Sequence, residues 1–346
     1  MDIVELQHIY ARHPNARALA AEWENPSVRT VFLGGLHTSA SPLFFSALVK
    51  EQSHTFVFIL SDLEEAGYFY HDLVQINGDA EVLMFPSSYR RAIKYGQKDA
   101  AYEILRTEVL SRLQKQEKVC IVTYPDALAE KVVSQKDLAG NTLQVEVGQC
   151  IGTDVLVARL LDDGFQQVDY VYEPGQFALR GSIVDVFSFA SEYPYRIDFF
   201  GDEVDSIRTF EVETQLSKEK KQSVSIIPEL TAMEGGEYVS FFDFLPQDTI
   251  LGMKDFLWIR ERIEAIHGEA VSPLAVAADA EREAELSDIG NHLIDGTDFT
   301  QKALEFRRME FGNMPTGIPQ AKLMFNVEAQ PIFHKNFDLV GACLQD

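Results

Sequence analysis

Apolar runs of strand length recur through the first part of the chain, each followed by a stretch with helical spacing. Residues 28–33 (VRTVFL), 55–60 (TFVFIL), 80–85 (AEVLMF) and 119–123 (VCIVT) are such runs. They are short and apolar on both faces, as strands of a doubly covered parallel sheet are. Between them, PLFFSALVKE, EEAGYFYHDLVQ and residues 99–114 read as helices. Ser41 followed by Pro42 predicts a helix start, a capping hydroxyl before a proline at the first helical position. Ser61 and Glu64 have the spacing of a capping box. Strand–helix alternation predicts a parallel sheet with right-handed crossovers and helices on both faces.

The pattern changes after Pro125. Residues 142–212 read mostly as strands, with one helix over 151–162. FALRGSIVDVFSF (177–189) and YRIDFF (195–200) alternate between two faces and are joined by the turn-like ASEYP. This predicts a small α+β domain inserted between halves of the first. SKEKKQS (217–223) reads as a polar loop. Helical spacing returns in DFLWIRERIEAIHG and in DFTQKALEFRRMEFG, which Gly312 is expected to stop. AKLMFNV and AQPIF are late strand candidates.

Charge narrows the choice of partner. The chain of 346 residues carries 54 Asp plus Glu against 30 Lys plus Arg, a formal −24. Phosphate backbones attract clustered cations, so this chain repels nucleic acid over most of its surface and is better suited to protein partners. Acidity of this kind also serves solubility alone. No stretch approaches the roughly 20 apolar residues that cross a bilayer, and the N-terminus lacks a signal-peptide pattern. Three scattered cysteines fit a reducing compartment. The expectation is a cytoplasmic protein with no membrane contact.

Strand, glycine-bearing loop and helix form the layout of a phosphate-binding loop, and GGLHTSASPLFF stands in that place. Gly34, Gly35 and Ser41 mark the would-be cradle. The chemistry needs a lysine on the terminal phosphates and a hydroxyl on magnesium next to it. The first lysine after Gly34 is Lys50, and Pro42 removes an amide. The segment reads as a degenerate phosphate loop or an ordinary strand-to-helix turn, with a weak anion site left open. The eight histidines form no metal-ligand motif, and no GxSxG or CxxC occurs. No cofactor, metal or catalytic residue is expected. Two rival readings remain, a nucleotide hydrolase with an unorthodox loop and a DNA-binding module using the basic, aromatic run YRRAIKY (89–95).

Residues 170–217 carry RGSIVDVF, PYRIDFFGDEVDSIR and FEVETQ in order. This stretch closely resembles the domain that bacterial transcription-repair coupling factors (Mfd) share with the excision-repair protein UvrB. Weaker resemblance covers FVFILSDLEEAGYFYHDL, FPSSYRRAIKYGQ and QPIFHKNFDLV. The resemblance implies an α/β fold: a degenerate P-loop, RecA/helicase-like domain 1A over 1–125, interrupted by an α+β UvrA-interaction domain 2 over 126–212. Residues 213–346 would complete the UvrB-like module as domain 1B. It implies an adaptor that recruits UvrA to stalled RNA polymerase and hydrolyses no ATP itself. The polymerase and DNA contacts and the ATP-driven motor would lie in regions beyond this chain, which resembles a fragment of a longer protein. Family behaviour also implies that the intact protein hides the UvrA face against its own C-terminal region.

Residues two apart on a strand point the same way, so Arg196 and Asp198 share one face and Tyr195, Ile197 and Phe199 the other. The apolar face should pack inward, leaving the charges outward with Phe200 adjoining. Arg180 precedes Gly181, which would let a backbone approach closely. On spacing alone this is an exposed face with local salt bridges. By resemblance, Arg180, Arg196 and Asp198, with Phe187 added, occupy positions of the UvrB–UvrA interface. UvrB often carries further arginines where this chain has Gln167 and Ala178.

Overall fold

A computed structural model describes residues 3–36, 39–51, 54–78, 81–88, 100–230, 236–270, 292–312 and 314–327. Its strands, in chain order, begin with β1 (Thr30–Gly34), β2 (Phe56–Ile59), β3 (Val82–Met84), β4 (Cys120–Thr123), β5 (Val132–Val133) and β6 (Leu143–Glu146). There follow β7 (Gln166–Gln167), β8 (Gln176–Arg180), β9 (Ile183–Val186), β10 (Tyr195–Phe200), β11 (Glu203–Phe210), β12 (Ser217–Lys221) and β13 (Ser223–Ile226). The last are β14 (Tyr238–Val239), β15 (Ile250–Met253), β16 (Arg307–Gly312) and β17 (Ala321–Met324).

Seven strands form one sheet in the order β17-β1-β16-β15-β2-β4-β3. All neighbours in it are parallel. The two ends of the described chain therefore interleave in a single sheet. The helix Ala40–Glu51 presses Phe45 onto it, with ring centroids 4.9 Å from Phe58 and 4.8 Å from Phe311. Such aromatic burial dominates the core energetics.

Two readings of the C-terminal part are corrected. The helix expected through DFTQKALEFRRMEFG stops at Ala303, and Arg307–Gly312 is a strand inside the parallel sheet. Met309 and Phe311 face one side of that sheet, a period-2 pattern that the two preceding arginines and the intervening Glu310 obscure. The helix Gly296–Ala303 is instead started by Asp295, whose carboxylate accepts from the amides of Thr297 and Asp298 at 2.8 Å. The segment SKEKKQS is likewise no loop. Ser217–Lys221 pairs antiparallel with β11 as an edge strand, where lysines guard against unwanted strand pairing.

Two helix starts also differ. The capping pair is Asp62 and Glu65, one residue on from Ser61 and Glu64. Asp62 accepts from the Glu65 amide at 3.0 Å, and Glu65 accepts from the Ser61 amide at 3.1 Å. Ser41 lies inside a helix that begins at Ala40, and its hydroxyl donates to the Leu36 carbonyl at 3.5 Å.

The second sheet has six strands in the order β12-β11-β10-β9-β8-β7. Apart from the short parallel pair β7–β8 its neighbours are antiparallel. One of its faces buries Phe177, Val184, Val186, Ile197, Phe199 and Ile207 beneath Leu156 and Leu160 of the helix Thr153–Asp162. That core runs on through Val224 and Ile226 of β13, which pairs with β6. YRRAIKY, AQPIF and QPIFHKNFDLV lie outside the described residues.

Candidate functional site

Open parallel sheets bind ligands outside the carboxyl ends of their strands. At that edge Gly35 has φ +82, and a Cβ added to it would lie 2.2 Å from the Phe325 carbonyl oxygen. The Phe325 amide donates to Gly34 at 2.8 Å. The space beside Gly35 is therefore filled by the chain's own backbone, and that beside Gly34 by the Met324 and Phe32 side chains. Beyond β15, Lys254 is ion-paired with Glu65. Burial raises the Glu65 carboxyl, but hydrogen bonds from Lys254 and Ser61 outweigh it and hold the group below its ordinary range.

The outer face of the second sheet carries the other candidate residues. Its geometry starts from hairpin register, since directly opposite residues of an antiparallel pair share a face. Gly181, at φ +63, turns the chain between β8 and β9, so Arg180 stands opposite Ile183. Nothing lies within 4 Å of a Cβ placed on Gly181. The glycine serves the turn, not the close approach expected of it. Gly201, at φ +64, turns β10 into β11 at the same end of the sheet. Arg180, Asp198 and Phe200 all gather there.

One residue organises the cations, and it is absent from the set read from the sequence. Asp185 of β9 is fully buried and lies opposite Arg196. It accepts from Arg196 Nε at 2.7 Å and from Nη2 at 2.9 Å, and also from Arg180 Nη2. The planar guanidinium fork suits this bidentate contact, which raises the Arg196 pKa further above its ordinary value. Arg196 also donates from Nη1 to the Gln215 carbonyl at 3.1 Å and lies over the Phe210 ring, 4.3 Å from its centroid. Its side chain is 15% exposed, against 35% for Arg180. Arg180 is the more available cation. Its guanidinium stands 5.1 Å from the Tyr170 ring centroid.

Asp198 accepts from Arg208 Nη2 at 3.2 Å and from Ser182 Oγ at 3.4 Å. The structure thus brings Arg180, Arg196 and Asp198 to one face. Phe187 is different. It is 6% exposed and packs with Val171, Ala178 and Phe210 beneath the arginines. Phe200 is the exposed one of the two phenylalanines, at 84%. The buried aspartate could have been suspected from VDV, a charge in mid-strand with an arginine one strand on.

Residues 143–231 match the family described as the UvrB interaction domain. A longer stretch is similar to transcription-repair-coupling factors. That of Bacillus subtilis (strain 168) is 32% identical over 196 residues, 57% of this chain and 17% of the relative. That of Escherichia coli (strain K12) is 27% identical over 198 residues, again 57% of this chain and 17% of the relative. That of Haemophilus influenzae is 28% identical over 198 residues, with the same shares. The aligned stretch thus spans about a sixth of those proteins. The two findings bear out the resemblance seen in residues 170–217 and group the chain with the N-terminal UvrB-homology region of these factors. The charged face lies wholly within the matched domain.

Proposed function

We propose that this chain is the adaptor portion of a transcription-repair coupling factor. It would dock UvrA on the outer face of its UvrB interaction domain during transcription-coupled repair. The observation that carries this reading is Asp185. A fully buried carboxylate holds two arginines side by side, one of them a third exposed, beside a nearly bare phenylalanine. Preorganised arginine and exposed aromatic side chains are the residue types that dominate protein interfaces. The contact residues would be Arg180, Asp198 and Phe200. Arg196 would contribute its remaining edge, and Phe187 would support the face from below. RNA polymerase and DNA would engage through other parts of the whole protein, and its C-terminal region would mask this face.

The same reading makes this portion non-hydrolytic. Support comes from the Phe325 backbone beside Gly35, the missing lysine of the loop and the Lys254–Glu65 pair. Titration of purified UvrA into this chain tests the docking. Saturable one-site binding is expected, and none at micromolar concentrations would refute it. Phosphate release from ATP and magnesium by the isolated chain would refute the second part.

A further inference from the structure

Arg196, Arg208 and Lys220 stand in register across β10, β11 and β12, Arg196 opposite Arg208 and Arg208 opposite Lys220. They therefore share the outer face. Like charges directly opposite on neighbouring strands oppose folding. The acids at hand answer two of these cations, Arg196 through Asp185 and Arg208 through Asp198, and leave Lys220 without one among the described residues. Asp185 is taken up by Arg180 and Arg196. Asp198 meets Arg208 through one bond of 3.2 Å, and the buried Nε of Arg208 has no hydrogen-bond partner. Lys220 is exposed and makes no ion pair among the described residues. The one acid of β12, Glu219, pairs instead with Lys221 at 2.7 Å, two positions away on the opposite face.

We propose that Arg208 and Lys220 extend the docking face into a cation strip that receives an acidic, extended segment of the docked protein. This rests on the reading that the face docks UvrA. Neighbouring strands are about 4.8 Å apart, so three cations span about 10 Å, the reach of a few residues of extended chain. Carboxylates fit this strip better than a nucleic-acid backbone does. The strip is short, Asp198 borders it, and the −24 of the chain repels a long polyanion. Guanidinium and ammonium groups at such a site set partner choice and association rate.

The test measures UvrA affinity of the whole chain at several salt concentrations. Lys220→Glu is expected to weaken binding about tenfold and to flatten its salt dependence. Lys221→Glu, the same change on the other face of the same strand, should stay within about twofold. Arg208→Gln should act in the same direction as Lys220→Glu, with thermal unfolding as the check on its fold. Unchanged affinity for Lys220→Glu, or an equal loss for Lys221→Glu, overturns the strip while leaving the docking reading intact. Failure of the unaltered chain to bind UvrA removes both. Low-salt binding of duplex DNA that Lys220→Glu abolishes would overturn the acidic segment as occupant.

Discussion

Arg196 grips Asp185 through two parallel bonds, Nε to Oδ1 at 2.7 Å and Nη2 to Oδ2 at 2.9 Å, across the β9–β10 ladder. The carboxylate has no exposure to solvent, so its charge is balanced by protein alone. That relationship turns a row of surface charges into a fixed surface.

Removing one partner of a buried pair leaves an uncompensated charge, a loss of about 3–5 kcal/mol. Arg196→Ala should approach that range in urea unfolding. Arg180→Ala should cost about 1 kcal/mol, because the bidentate partner remains and Arg180 is partly solvated. Equal losses for the two would contradict the assignment of Arg196 as the principal counter-ion.

Phe187 and Phe200 should separate stability from docking. Phe187→Ala empties a buried position and should cost about 3 kcal/mol. Phe200→Ala removes a side chain that is 84% exposed and should leave the unfolding midpoint unchanged while weakening UvrA binding. A Phe200→Ala protein with full UvrA affinity would take this residue out of the contact set.

Glu108 offers a pH test. Burial raises its pKa, Arg112 opposes the shift, and Glu192 and Glu117 add to it. A carboxyl with a raised folded pKa holds its proton more tightly when folded. Its ionisation therefore destabilises the fold as pH climbs from the unfolded value through the folded one. Glu108→Gln should be more stable than the unaltered chain at pH 7, and the difference should shrink towards pH 4. Urea midpoints at the two pH values decide it, and a less stable variant at pH 7 would contradict the sign.

At Gly35, alanine meets both a positive φ and the Phe325 carbonyl. Gly35→Ala should cost about 2 kcal/mol or more. Millimolar ATP with magnesium should leave the melting temperature of the unaltered chain in place, since only a ligand of the folded state raises it. A raised melting temperature would restore the nucleotide site.

Much of this architecture was legible. The apolar runs at Val31, Phe58 and Ile121 announced central strands because burial on both faces leaves no polar alternation. The opposite facing of Arg196 and Ile197 followed from strand period alone. What escaped notice depended on partners distant in sequence. RRMEF sits between two strands, from residues 30–34 and 250–253, that no local pattern connects to it. SKEKK is a strand because β11 offers an edge, not because its residues favour one. Asp185 hid in an apolar run, and only register shows which cations neutralise it. Phe187 and Phe200 look alike in sequence, and packing alone decides which is buried.

The most direct test of the docking account is the UvrA affinity of Arg180→Glu, measured by calorimetry beside a thermal melt of the same sample. With the fold intact, affinity should drop by about 30-fold or more, equivalent to about 2 kcal/mol. Unchanged affinity in a folded Arg180→Glu protein would contradict the claim that this face receives the partner.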